Sequence, residues 1–247
     1  MNFFSLFKRK ILYKIKNKIN IDLDNVNKDT LDELFHYYGS DKANIFKKTQ
    51  NQGHGFSGFY TQHLKHLKQR EIKILEIGSY AGASASAFVK YFPNSKVYCF
   101  DINISKFIYY SKNIHVFGLN IKDKKKVEKT LSKINSESNS NFFDVIIDDG
   151  SHYLSDILFS LNTLFRYVKK GGIYVIEDFN HPNYYDYNKN IDHILVDEML
   201  KNLKEKKLFN SNIIKKEDQI FLHKNVDKIE TYKGNLADSD ICFIRKK

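Results

Sequence analysis

IKILEIGSYAGAS, residues 72–84, joins a six-residue apolar run to a loop of glycine, serine and alanine. Helical spacing follows and continues to about Phe92, where Pro93 and Asn94 stop it. Strand, small-residue loop and helix in this order open a βαβ unit. Glycine lets the backbone approach a ligand closely, and the amides at the start of the next helix offer donors at the positive end of a dipole. The loop lacks the G-x-G-x-x-G spacing of dinucleotide-binding dehydrogenases, which weakens a nicotinamide reading.

The pattern repeats on the C-terminal side. KVYCF (96–100) predicts a second strand ending at Asp101, where an acid can accept hydrogen bonds from both hydroxyls of a ribose. IHVFGL (114–119) predicts a third, followed by a Lys-rich helix over 123–134 and a polar connector, SESNSN (136–141). FFDVII (142–147) and GIYVIE (172–177) predict a fourth and a fifth strand, with later apolar runs at 219–222 and 241–244. Between the fourth and fifth, Ile157, Leu158, Leu161, Leu164, Phe165 and Val168 form one stripe of a helix over 152–168. Ser151 is its expected N-cap, and Gly171 and Gly172 are expected to end the unit. Strands alternating with helices predict an α/β fold, Rossmann-like, with a mostly parallel sheet and helices on both faces.

DVIIDDGSH (144–152) and IYVIED (173–178) each end in a pair of acids. Ligands bind at the carboxyl ends of strands in such sheets, and neighbouring strands lie about 4.8 Å apart. Asp148, Asp149, Glu177 and Asp178 can therefore share one cation, whereas four adjacent carboxylates without one repel; capping of the next helices is the other use for such acids. All-oxygen donors suit Mg²⁺, or Mn²⁺ as a substitute, better than zinc. Periodicity does not choose between Asp148 and Asp149. His152 is expected in the first turn of the following helix, where the dipole disfavours its cation; an ordinary imidazole, with pKa near 6.5, is then a ready general base.

At 247 residues the chain fits one large domain, or one with a short appendage. With 42% hydrophobic residues and no apolar run approaching the ~18 residues of a membrane span, it reads as soluble. Cys99 and Cys242 lie in apolar runs, as buried thiols of a reducing cytosol do. MNFFSLFKRK places apolar residues before basic ones and has no small-residue cleavage site, unlike a secretory signal. A net charge of +11 favours an anionic partner: a nucleotide-linked substrate, an acidic membrane surface or nucleic acid. Part of that excess matches the Lys, Asn and Ile richness of a low-GC coding bias. Residues 3–19 place Phe3, Phe4, Phe7, Ile11, Leu12, Ile15 and Ile19 at helical spacing, with six basic residues and no acid between them. Such a helix can lie on an anionic membrane, dock on another subunit of a homo-oligomer, or pack on its own domain. With the polar linker Asp22–Lys28 it sets residues 1–30 apart from a domain over 31–247.

The E-x-G-x-x-x-G loop, the second-strand acid and the fourth-strand DDG resemble the class I methyltransferases that use S-adenosylmethionine, whose fold is a mostly parallel seven-stranded sheet. YGSDK (38–42), HGFSGFYTQHL (54–64), LEIGSYAGAS (75–84), FDIN (100–103), FDVIIDDGSH (143–152) and GGIYVIED (171–178) together resemble something narrower. They are similar to the metal-dependent sugar O-methyltransferases typified by the macrolide 2''-O-methyltransferase of mycinamicin biosynthesis, with relatives in capsule and lipopolysaccharide gene clusters. The resemblance covers about residues 36–180.

The resemblance implies roles residue by residue. Glu76, Gly78 and Ser79 border the methionine part of S-adenosylmethionine, and Asp101 with Ile102 holds the ribose. Asn120, where the family more often has glutamine, and Asp123 lie near the adenine. Tyr38, Ser40, Lys42 and Tyr60 close over the amino-acid end of the cofactor. Asp149, Glu177 and Asp178 become the metal ligands, and Asp148 supports the site or contacts cofactor. His152 becomes the base that deprotonates the acceptor, with Asp149 beside it in catalysis. His181 contacts substrate, and in the NYYDYNKN stretch after Pro182, Tyr184, Tyr185 and Tyr187 form a wall against a sugar ring.

The implied activity is a cytoplasmic, Mg²⁺-assisted O-methyltransferase acting on a sugar hydroxyl, a nucleotide-activated heptose or hexose for capsular or surface polysaccharide. The basic helix would hold it at the inner face of the membrane. One rival is a nucleic-acid methyltransferase, motivated by charge alone, with no recognisable RNA-binding module to support it. Another is a non-catalytic membrane-surface scaffold, against which the intact Asp149, His152, Glu177 and Asp178 argue.

Overall fold

No acid precedes Asp22, and the basic, apolar first stretch forms helix α1 (Phe3–Ile15). The computed structural model describes residues 3–136, 142–185 and 191–247; Tyr187 and residues 137–141 of the polar connector lie outside the described residues. The helix ends four residues short of the expected Ile19, because Lys18 Nζ turns back to donate to the carbonyl of Tyr13 at 2.8 Å and covers a C-terminal carbonyl. Ile19 donates its amide to Ile108, and Ile19–Asn20 forms a two-residue strand, β1. The expected polar linker is tied down at its start. Ile21 is fully buried in a 3₁₀ turn, and the Asp22 carboxylate accepts from Ser111 Oγ at 2.6 Å and the Lys112 amide at 2.9 Å.

The chain divides into two compact units, residues 1–120 with 234–237 and residues 121–233 with 238–247. In the first, α2 (Leu31–Tyr38) starts at a capping box: Thr30 accepts from the Glu33 amide while Glu33 accepts from the Thr30 amide. Gly39 ends it with φ +80°. Then follow α3 (Ser57–Leu64), β2 (Ile72–Ile77), α4 (Ala83–Tyr91), β3 (Ser95–Asp101), the two-residue β4 (Tyr109–Tyr110), which pairs with β1, and β5 (Ile114–Gly118). Strands β2, β3 and β5 run parallel in the order β5-β3-β2, in register Ile74↔Val97↔Ile114. The edge-to-face rings of Phe35, Tyr60 and Phe88, with centroids 5.3–6.1 Å apart, lock α2, α3 and α4 together. Such pairs are worth about 0.5–1.5 kcal/mol each beyond area burial.

The second unit holds α5 (Lys124–Ser136), β6 (Phe143–Asp148), α6 (Leu154–Leu164), β7 (Val168–Glu177), α7 (His181–Tyr184), α8 (Val196–Glu205), α9 (Lys216–Asn225), β8 (Val226–Lys233) and β9 (Asp240–Lys246). β6 and β7 are parallel, and β9 and then β8 add antiparallel. The apolar run at 219–222 falls within α9, and the one at 241–244 within β9.

The helix expected over 152–168 begins two residues later and ends four residues earlier. Tyr153 is its N-cap with extended backbone, Ser151 instead accepts from the Tyr153 amide and donates to Asp156, and His152 stands before the helix at φ +56°. Gly171 and Gly172 lie inside β7 rather than ending the unit. There the pairing jumps from Phe143↔Val168 to Val145↔Ile173, a bulge that Gly171 accommodates at φ +75°. A Cβ on Gly172 would come within 2.8 Å of the Asp144 carbonyl. Both cysteines are buried and free, and among the described residues no helix is long and apolar enough to cross a membrane.

Candidate active site

The first unit presents the glycine loop at the carboxyl end of β2. Glu76 is fully buried and its Oε1 accepts from Ser84 Oγ at 2.5 Å, so the strand end and the first turn of α4 are tied by one side chain. Gly78 and Gly82 have φ of +85° and +83°, a backbone that L-residues rarely adopt. Tyr80 between them is left-handed too, at φ +43°, and its amide donates to Asp101 Oδ2 at 2.8 Å. The other Asp101 oxygen accepts from the Asn103 amide. Asp101 thus holds the loop's shape, and a carboxylate's four lone-pair directions leave room for further donors.

The remaining residues expected around a cofactor lie in different surroundings. Ser40 and Lys42 are buried, the Lys42 side chain being only 2% exposed, and the Lys42 amide donates to Ser40 Oγ at 3.4 Å. Tyr60 is part of the aromatic core between α2, α3 and α4, and the Tyr38 hydroxyl donates to Asp24 at 3.3 Å. Burial first, then the Asp24 charge, raises the Tyr38 phenol well above its ordinary range. Ile102 is exposed and its carbonyl accepts from Arg9; Asn120 closes the first unit, half-buried. Asp123, in the second unit, accepts from the Lys126 amide as the start of α5, a helix-capping role.

The acids of the second unit separate into two environments. Asp148 is buried, Tyr174 Oη approaches its Oδ2 at 3.5 Å, and that hydroxyl is 3.0 Å from Ser160 Oγ. Burial pushes the Asp148 carboxyl up to about 7, against the opposing hydrogen bond from Ser160 and the charge of His152. Asp149, one residue on, meets Asp178 and His152 instead: one ligand atom of each lies within 4.8 Å of the others. His152 Nε2 is 3.6 Å from Asp149 Oδ1 and 3.8 Å from Asp178 Oδ2. Glu177 is buried at the end of β7 and outside this three-residue group.

Two carboxylates and an imidazole at these separations fit a small divalent cation. Donors at about 2.1 Å from Mg²⁺ lie roughly 3 Å from one another, so modest side-chain rotation closes the shell. His152 therefore has two possible employments here, ligand and base, where its sequence position suggested one. It stands before α6 rather than in its first turn, with the two carboxylates beside it. Five non-glycine residues have positive φ among the described residues; Tyr80 lies in the glycine loop of the first unit, and His152 and Asp178 lie in the acid-bearing turns of the second. Strain of this kind persists where surrounding structure over-determines it.

Beyond Asp178 the chain folds into α7, whose His181 amide donates to the Asp178 carbonyl at 2.9 Å. The His181 ring lies 4.4 Å from that of Tyr185 and 5.6 Å from that of His152. Burial, then the charge of His152, holds the His181 imidazole below the ordinary histidine range. Tyr184 Oη is 3.3 Å from Asp240 and 3.2 Å from Lys233 Nζ, which itself reaches Asp240 at 3.1 Å. Lys233 and Asp240 were not anticipated from sequence. They end and begin antiparallel strands some fifty residues further on, and VDKIETYK carries no clean period-two signal for the first of these strands, its buried Val226 and Ile229 being three residues apart.

Residues 75–179 match a family described as a methyltransferase domain. The L-olivosyl-oleandolide 3-O-methyltransferase of Streptomyces antibioticus is 30% identical over 167 residues, covering 60% of this chain and 36% of that protein. The mycinamicin VI 2''-O-methyltransferase of Micromonospora griseorubida is 31% identical over 144 residues, covering 51% and 31%. The chain thus spans about a third of the length of these curated relatives. Among solved structures, the MycE methyltransferase of the mycinamycin biosynthetic pathway, in complex with Mg and SAH, superimposes with a TM-score of 0.66 at 22% identity, covering 89% of this chain and 55% of that one. The fold of this chain is Rossmann-like, the α/β methyltransferase fold with a mainly parallel central sheet and helices.

Proposed function

We propose that the chain is an S-adenosylmethionine-dependent, Mg²⁺-assisted O-methyltransferase of a sugar hydroxyl. The observation that carries this reading is the meeting of Asp149, His152 and Asp178 after two adjacent parallel strands. The similarity to enzymes named as O-methyltransferases of glycosylated antibiotics supports the acceptor class. When bound, S-adenosylmethionine supplies an electrophilic methyl group, and Mg²⁺ supplies the positive charge that lets an alcohol release its proton near neutral pH.

The chain's own residues do the rest. Asp149 and Asp178 hold the cation, with Glu177 completing the carboxylate set. His152 Nε2 takes the hydroxyl proton, and His181, Tyr184 and Tyr185 orient the sugar. In the first unit Glu76, Gly78 and Ser79 receive the methionine part of the cofactor, and Asp101 and Ile102 the ribose. Asn120 and Asp123 attend the adenine, Tyr38, Ser40, Lys42 and Tyr60 the amino-acid end, and Asp148 backs Asp149. Orientation and charge stabilisation then supply most of the rate.

The acceptor is a nucleotide-activated heptose or hexose of surface-polysaccharide synthesis, a reading supported by the net charge of +11, which suits a diphosphate. The test is incubation with S-adenosylmethionine and a panel of nucleotide sugars and simple glycosides, with and without EDTA, following mass gains of one methyl. Turnover is expected with a nucleotide sugar and lost on chelation. Turnover that survives EDTA removes the metal, and transfer to glycosides alone removes the nucleotide.

A further inference from the structure

Helix α1 turns its apolar side outward. On the side that packs against the rest of the first unit, Arg9 donates to the Ile102 carbonyl at 2.9 Å, Lys16 to the Ser105 carbonyl at 3.1 Å, and the Tyr13 ring stands edge-on to Phe107. Opposite them Phe7, Ile11 and Ile15 recur every four residues, 56%, 44% and 71% exposed, and Leu12 beside them is exposed as well. Four-residue spacing puts the three on one stripe. Lys8, Lys10 and Lys14 are exposed at its margins, and no acid occurs before Asp22. A helix anchored by polar contacts, with its large apolar side chains in water, inverts the usual globular arrangement.

We propose that this face docks on an anionic lipid surface, Phe7, Ile11 and Ile15 entering the boundary between headgroups and acyl chains while the lysines meet lipid phosphates. Charge selects the occupant. A second copy of the same face would set lysine against lysine with no acid to answer, and a nucleic acid would answer the lysines but leave the apolar stripe without a partner. An apolar stripe margined by lysines is the pattern of an interfacial helix, and the thirteen residues of α1 are too few for the ~20 of a span. The inference rests on α1 alone and stands apart from the chemistry proposed above.

The experiment is flotation of the full chain with vesicles of phosphatidylcholine alone and of phosphatidylcholine mixed with an equal part of phosphatidylglycerol, at low and high salt. Sedimentation velocity and binding of a labelled single-stranded RNA run in parallel. Binding is expected to the mixed vesicles only, weakening with salt. The Phe7→Asp/Ile11→Asp pair is expected to abolish it, and Lys8→Gln/Lys14→Gln to lower partitioning by about fivefold per lysine. Circular dichroism and melting should be unchanged in both, since these side chains are exposed; the lysine pair serves as the readout if the aspartates disturb folding. No flotation with the mixed vesicles overturns the proposal. So does binding indifferent to both pairs, or a dimer or RNA complex that Ile11→Asp abolishes while vesicles stay unbound.

Discussion

His152 Nε2 faces Asp149 Oδ1 at 3.6 Å across a turn in which His152 itself holds φ +56°. The separation exceeds that of a direct hydrogen bond, and the backbone is one that residues other than glycine adopt uncommonly. Substitution can therefore separate what the side chain does from what the backbone costs. His152→Gly relaxes the turn, while His152→Ala keeps its strain. The glycine variant is expected to be the more stable of the two by about 1 kcal/mol in urea unfolding. Both are expected to lose methyl transfer, and wild-type turnover in either removes His152 as the base.

Cation binding has its own readout. If Asp149 and Asp178 hold Mg²⁺, a hundredfold excess over the dissociation constant adds about 2.7 kcal/mol of stability, visible as a raised melting temperature that EDTA reverses. Asp149→Asn and Asp178→Asn are each expected to erase that rise. His152→Gly is expected to keep most of it, because the carboxylates supply the charge; its loss there would make His152 a ligand.

The backbone geometry can be probed through two contrasting glycines, one in the loop after β2 and one in α3. At Gly82, φ is +83° and a Cβ would come within 2.4 Å of the buried Phe107 ring. Gly82→Ala is expected to cost about 2–4 kcal/mol, combining a left-handed alanine with overpacking. Gly58 lies inside α3 with nothing within 4 Å of its added Cβ, so Gly58→Ala is expected to stabilise by about 0.5–1 kcal/mol. Equal effects at the two positions would contradict this backbone geometry.

Asp22 links the first residues to the loop before β5, and its contribution depends on pH. Burial pushes its carboxyl up, but hydrogen bonds from the Lys112 amide and the Ser111 hydroxyl, with the charges of Lys112 and Lys90, hold it below the ordinary value of 3.8. The folded value is the lower one, so this stabilisation is complete above the unfolded value and disappears as pH falls through the folded value. Asp22→Asn should cost about 0.5–1 kcal/mol near neutrality, the residue being exposed, and nothing in strong acid. Denaturant midpoints of the two proteins across that range check it; a constant gap would place the effect elsewhere.

The strands and their acids were legible in the sequence because a buried parallel strand is a short apolar run with a sharp end: β2 is Ile72–Ile77 as the run predicts, and β3 and β5 differ by a residue at their ends. Helix ends were less so. Nothing in the composition of DDGSHYL announces that His152 turns left-handed and delays α6 to Leu154. Nor does GG distinguish a helix stop from the bulge it forms in β7. The capping box Thr30–Glu33 was a readable signal for α2 that the apolar pattern overshadowed. Asp149 separates from Asp148 only in three dimensions, where one carboxylate faces Tyr174 and the other His152.

The pairing of Asp148 with Ile176 in the β6–β7 ladder has an evolutionary consequence. Asp149 and Asp178 each follow directly from strands whose relative position is fixed by main-chain bonding, whereas His181, Tyr184 and Tyr185 ride on a four-residue helix and the turn after it. Mutation can remodel the latter while the former stays put. If the roles proposed for these residues hold, a lineage built this way can exchange one acceptor for another and inherit its reaction unchanged.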